Sequence, residues 1–340
     1  MTVIMAQLER RLQIFAVFYL LLFLIFAANA QTNKPAGARP QLALQLGHSL
    51  PIMALAYSPD GRLLASGSND NTVKIWDATS RELIRTLEVH TAPVRGVAFS
   101  PDGKTLTTGD ENGDIKLWNY QTGEIKKSLP RLLVGVRKLE YSRDGKYLAA
   151  ACGIRGTGPK RDPRGQWVLW DARALGNNQI KVLRSVIAPT AYLSLAFSPD
   201  GRTLALGNFD RTVSLVEIKN GNARATLRGL KNFPNVLAYS PDGSTVAATD
   251  NNAVQLWDGR TGETGSRLES ADITTIFSLV FARNGKTLAT ASMDKRSNDG
   301  IFHVRLWNTQ KSDEIQKWPE KSVAYALAYS PDGSLSLIHI

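Results

Sequence analysis

From residue 41 to residue 334 the chain alternates short apolar runs with short polar breaks, and the breaks repeat. Met53, Ala54, Leu55, Ala56 and Tyr57 precede Ser58, Pro59, Asp60 and Gly61; Leu63, Leu64, Ala65, Ser66 and Gly67 follow. Runs of this length, bounded by turn residues, predict strands joined by a tight hairpin. Proline presets φ at the second position of such a turn, and glycine accepts the left-handed conformation at its fourth. The same tetrapeptide or a close variant recurs with its glycine at Gly61, Gly103, Gly145, Gly201, Gly243, Gly285 and Gly333, at spacings of 42, 42, 56, 42, 42 and 48 residues.

After each hairpin comes a third apolar run that usually ends in Trp and an acid or its amide. Examples are Val73-Lys74-Ile75-Trp76-Asp77, Ile115-Lys116-Leu117-Trp118-Asn119 and Val254-Gln255-Leu256-Trp257-Asp258. The fourth repeat has Val216 and Glu217 instead. A second turn, such as Gln121-Thr122-Gly123-Glu124, leads to a fourth run. Four strands in about 42 residues is the period of a propeller blade, so the predicted fold is an all-β propeller of four-stranded antiparallel blades.

On these residues the segment 41–334 resembles the WD40-repeat β-propeller family, in its exported, bacterial form. The resemblance implies a supporting hydrogen-bond set of entrance His, strand hydroxyl, turn Asp and Trp. It maps onto His48, Ser66, Asp70 and Trp76 in the first repeat; the second has His90, Thr108 and Trp118, with Asn112 in place of the Asp. The family is mainly a binding platform. Residues 42–48 read as a fourth strand and blade entrance, so the ring is expected to be seven-bladed and closed by this N-terminal strand. Aligning Gly333 with Gly61 leaves the last blade truncated, without equivalents of 63–82.

The ends read differently. Arg10 and Arg11 precede an apolar stretch over 14–28 and then Ala28-Asn29-Ala30, a small-x-small cleavage pattern. Residues 1–30 are thus expected to be a signal peptide and 31–40 a linker, which makes the protein secreted or periplasmic; membrane attachment would arise only through an uncleaved signal segment. Residues 335–340 break the repeat pattern, and their hexapeptide is the translation of a transposon end used in library preparation, CTG TCT CTT ATA CAC ATC. They are read as a sequencing artefact.

Composition narrows the chemistry. The formal net charge of +11 is spread along the chain, which disfavours nucleic acid as a partner. Cys152 is the single cysteine and only His48, His90, His303 and His339 are histidines, so no disulfide, metal site or cofactor site is expected. Gly103-Lys104-Thr105 and Gly285-Lys286-Thr287 lie at hairpins rather than at helix starts, which excludes a phosphate-binding loop. No catalytic residue emerges.

The excess lengths in the third and sixth repeats are expected between the second and third strands, on the face where binding loops would gather. Arg155, Lys160, Arg161 and Arg164 in the first insertion, with Lys295 and Arg296 in the second, form the candidate partner-binding loops, suited to an anionic protein partner. The plainer explanation is that these cations keep long loops solvated. The expected function is a non-catalytic protein-interaction scaffold; the alternative is the recognition domain of a larger enzyme or sensor.

Overall fold

A computed structural model of the chain describes residues 41–42, 47–153, 164–177, 179–295, 302–320, 325–330, 333 and 335–337. The expected signal peptide and linker, together with Arg155, Lys160, Arg161, Arg296 and residues 338–340, lie outside the described residues.

Six sheets of four antiparallel strands follow one another in chain order. In blade 1 the strands are Ile52–Tyr57, Leu63–Ser68, Val73–Asp77 and Leu83–Leu87. Blades 2 to 6 span 94–128, 136–188, 192–227, 237–269 and 273–320. The repeated tetrapeptide builds the first hairpin of each. In blade 1 the Gly61 N–H donates to the Ser58 carbonyl at 2.9 Å, while Gly61 takes φ +74°. Ser58 Oγ donates to Asp60 Oδ1 at 2.6 Å and accepts the Leu63 N–H at 2.9 Å. Ser100, Ser142, Ser198 and Ser240 repeat the contact with their aspartates. Blade 6 has Ala282 there, and Asn284 Oδ1 accepts the Lys286 and Thr287 N–H groups in compensation.

First strands contact first strands in a closed cycle from blade 1 to blade 6, and Leu327–Tyr329 completes it back to blade 1. Blades pack face to face. Ala65, Val73 and Ile75 of blade 1 meet Val97, Phe99, Leu106 and Trp118 of blade 2. Ile115 and Leu117 of blade 2 meet Leu139, Leu148 and Trp170 of blade 3 in the same way. Each fully buried Leu, Ile or Val contributes about 1.5–3 kcal/mol. The other face of blade 1, with Ile52, Leu64 and Trp76, carries a smaller cluster of its own.

Among the described residues, a three-stranded sheet of Leu327–Tyr329, Leu335–Leu337 and Gln41–Leu42, the last two parallel, stands beyond the six complete blades. One expectation needs correction: the excess length of the third repeat does not fall wholly between its second and third strands. Those strands end at Gly153 and begin at Gly165, but a short helix, Ala172–Gly176, also fills the next connection. Asp171 caps it by accepting the Arg173 and Ala174 N–H groups, and Leu175 buries its side chain, so part of the insertion is spent on the opposite end of the blade.

Close approach of the blades depends on small residues. A Cβ on Gly67 would lie 2.8 Å from Val94 Cγ1 and Val97 Cγ2. Gly67→Ala is therefore expected to cost about 1–3 kcal/mol by overpacking. Urea denaturation checks it, and a second change, Val97→Ala, should make the pair less destabilising than the sum of the two single changes.

Candidate functional site

The polar framework of the ring comes first, because it shows which side chains are occupied by structure. In blade 1, Trp76 Nε1 donates to Ser66 Oγ at 2.8 Å, and His48 lies with Nε2 2.8 Å from Ser66 Oγ and Nδ1 2.8 Å from Asp70 Oδ2. With neutral imidazole carrying its proton on Nδ1, every donor has one acceptor: Trp76 gives to Ser66, Ser66 to His48, His48 to Asp70. Burial depresses the His48 pKa against the pull of Asp70. Burial pushes the Asp70 carboxyl up, but the hydroxyl and N–H of Thr72, together with His48, outweigh it and bring it to about 2.

Blade 2 builds the same relay, with one correction to the sequence reading. The acid is Asp110, at the end of the second strand, whose Oδ2 lies 2.8 Å from His90 Nδ1; Asn112 contributes only its backbone N–H, which donates to Asp110 Oδ1, while its side chain turns to Thr91. Thr108 Oγ1 accepts from Trp118 Nε1 at 2.8 Å and lies 2.7 Å from His90 Nε2.

Other blades solve the problem with different residues. In blade 6, Trp307 donates to Thr290 at 2.9 Å, and a fully buried Arg305 anchors a separate polar cluster at Ser292, two residues further along the second strand. Its guanidinium reaches Asp294 at 2.7 Å, Asp272 at 2.9 Å, Glu314 at 3.0 Å and the Ser292 hydroxyl. Burial raises the Asp272 carboxyl, yet Lys317, Ser270 and Arg305 together hold it far below the usual carboxylate range. In blade 5, Arg267 pairs with buried Asp250 at 2.6 Å, and Trp257 turns to the Arg228 carbonyl. These clusters went unnoticed in the sequence because their members are scattered over the entrance turn and the second, third and fourth strands, at positions where the repeat has no fixed residue.

The first strands enclose a central channel with a cavity of about 790 Å³. Its rim is set by a shared device. The pairing of the first and second strands shifts register at Met53, Arg95, Arg137, Leu193 and Phe277 in blades 1, 2, 3, 4 and 6, and blade 6 has a further shift at Thr274. A β-bulge turns its extra side chain away from the ladder, and Met53, Arg95, Arg137, Leu193 and Phe277 all line the cavity. Arg95 Nε and Arg137 Nη1 both donate to one oxygen of Glu111, at 2.8 and 3.1 Å. Phe277 packs edge-on against Tyr325, ring centroids 5.1 Å apart.

Deeper in the channel blade 3 stands out. Where blades 1, 2, 4 and 5 carry Ala56, Ala98, Ala196 and Ala238 just before the last residue of the first strand, blade 3 carries Glu140. Its Oε1 accepts the Phe197 N–H of blade 4 at 3.1 Å. Burial pushes its carboxyl up to about 7, against the charge of Lys138 and that hydrogen bond.

Of the candidate loop cations, Arg164 and Lys295 are described, at the base of the two insertions; the Lys295 N–H donates to the Asp272 carbonyl. Cys152 is fully buried, and desolvation pushes its thiol well above the ordinary range.

A ring of four-stranded antiparallel blades around a channel is a β-propeller. The family model described as "WD domain, G-beta repeat" matches residues 40–77, 81–119, 181–216 and 221–258, and the chain belongs to the WD40-repeat family. "WD repeat-containing protein SL1-17" of Schistosoma mansoni is 33% identical over 118 residues, 34% of this chain and 38% of that protein. "Small ribosomal subunit protein RACK1y" of Oryza sativa subsp. japonica is 29% identical over 149 residues, 41% of each chain. "Tricorn protease homolog 1" of Streptomyces coelicolor is 28% identical over 180 residues, 47% of this chain and 17% of that protein. The chain thus spans about two fifths of the first two relatives.

Two measurements follow from the polar groups. Thr108→Val keeps the shape but removes the hydroxyl between Trp118 and His90, and should cost about 1–3 kcal/mol by urea denaturation. Glu140 has a folded pKa near 7 against an ordinary 4.5. The folded chain holds the proton while the unfolded chain releases it, so stability falls as pH rises through this window. Glu140→Gln, which keeps the acceptor without the charge, should leave stability unchanged at pH 4 and raise it by about 1–3 kcal/mol at pH 8.

Proposed function

We propose that the protein is a non-catalytic interaction scaffold which binds a partner polypeptide at the bulge-lined mouth of its central channel. The observation that carries this reading is the rim itself. Five blades spend a bulge to turn a side chain into the cavity, and these side chains range from guanidinium (Arg95, Arg137) through thioether and aliphatic (Met53, Leu193) to aromatic (Phe277) although the blades repeat. Residues that served only packing would repeat with the blade. The mouth opens on the side of the connections between second and third strands, since Glu111 and Asn251 from two such connections also line it. The insertions with Arg155, Lys160, Arg161, Arg164, Lys295 and Arg296 branch from the same connections, which supports a role for them in reaching an anionic partner.

The scaffold is further proposed to be exported, on the strength of Arg10, Arg11, the apolar stretch 14–28 and Ala28-Asn29-Ala30. Its ring is proposed to close as a seven-bladed propeller. Leu327–Tyr329 supports this reading, since it stands as a seventh first strand between the first strands of blades 6 and 1. A second reading, in which the propeller is the recognition domain of a larger enzyme, is favoured by the match to part of Tricorn protease homolog 1.

A photocrosslinking amino acid placed at Met53, on the rim, and separately at Ile84, on an outer strand, tests the binding face in extracts of the source cells. The scaffold reading expects polypeptide adducts from position 53 and none from position 84. Adducts from position 84 alone, or from neither, would overturn it.

A further inference from the structure

The rim is not uniform around the ring, and its asymmetry specifies a ligand. Blades 2 and 3 supply Arg95 and Arg137; blade 6 and the three-stranded sheet supply Phe277 and Tyr325. In the cycle of first strands these two pairs stand across the channel from each other. One side therefore offers guanidinium forks, which suit carboxylates, and the other offers aromatic surface. Asn235 and Asn251 line the rim between blades 3 and 6. Primary amides donate and accept at once, as a peptide bond requires.

Charge favours an acid. The polar lining has three cations, Arg95, Arg137 and Lys138, against the carboxyl groups of Glu111 and Glu140. Glu111 is the informative residue. It comes from the connection after the second strand of blade 2, anchored by its N–H to the Pro93 carbonyl at 2.9 Å. A single one of its oxygens takes both guanidiniums, while the Arg95, Arg137 and Glu111 side chains are 22%, 11% and 36% exposed. Glu111 thus holds the position that an incoming carboxylate would take.

The geometry points to a bipartite recognition site for a short peptide segment of a partner protein, in which an acidic side chain binds Arg95 and Arg137 in competition with Glu111 and a neighbouring aromatic or aliphatic side chain packs on Phe277 and Tyr325. The inference rests on the scaffold reading and adds the chemistry of the partner. Glu111 lowers affinity for weakly acidic segments and keeps the guanidiniums oriented when no ligand is present. A charge-assisted pair at a part-buried site is worth more than a surface one, so single substitutions should be visible in binding.

The test is selection of phage-displayed random dodecapeptides on the purified protein, followed by fluorescence anisotropy titration of the most enriched peptide. Enriched sequences are expected to carry Asp or Glu within a few residues of Phe, Tyr, Trp or Leu. Arg137→Gln and Phe277→Ala should each weaken the peptide about tenfold or more, while Glu111→Gln should tighten it about threefold, a gain that a misfolded variant cannot produce. Peptides enriched without acids, or binding that ignores all three substitutions, would overturn the inference and leave the scaffold reading standing. No enrichment of any sequence would overturn both.

Discussion

The interaction on which the rest depends is the packing of one blade face against the next. Each sheet is apolar on both faces. Ala149, Ala151 and Leu169 of blade 3 are buried toward blade 4, whereas Leu148, Ala150 and Trp170 of the same strands are buried toward blade 2. A free blade would expose both faces to water, so a blade is stable only between two neighbours, and stability belongs to the ring. The geometry also dictates residue size. Second strands carry small side chains, such as Ala65, Ala149, Ala247 and Ala289, because the bulk of the next blade must fit against them.

Within that frame the polar groups vary from blade to blade, and most of the buried donors are answered. Blades 1 and 2 use the full His-to-Trp relay, blade 6 a buried arginine among three carboxylates, and blade 5 an arginine on its fourth strand. In blade 3 the position of the hydroxyl is taken by Ala150, and Trp170 Nε1 has no acceptor among the described residues. The channel rim is freer still. Its side chains touch neither neighbouring hydrophobic cluster to any large extent, so their identity can follow the ligand rather than the core. A repetitive scaffold thereby presents a non-repetitive site.

Much of this was legible in the sequence, for a physical reason. Hairpins that need a preset φ, a left-handed glycine and a serine-aspartate lock leave a residue signature, and so does a tryptophan that must fill the space between blades. The four-stranded blades were placed from these alone, whereas the relay residues His48, Ser66, Asp70 and Trp76 were placed through the resemblance to the WD40-repeat family. Asp110 was missed because the relay needs an oxygen in reach of His90, which either the end of a strand or the turn after it can provide. The helix Ala172–Gly176 was missed because a length excess says nothing of which connection holds it. The rim escaped altogether: a bulge changes pairing without changing composition, so nothing in the sequence sets Arg95 and Arg137 apart from other strand cations.

Hydrogen exchange read blade by blade addresses the central claim, that the blades are stable only as a ring. Interdependent blades should give the slowest amides of the second and third strands in blades 2, 3, 4 and 5 one common opening free energy, falling together as urea is added. A graded series, with blades near one end of the chain opening well before the others, would show that each blade rests mainly on local contacts and would contradict the account.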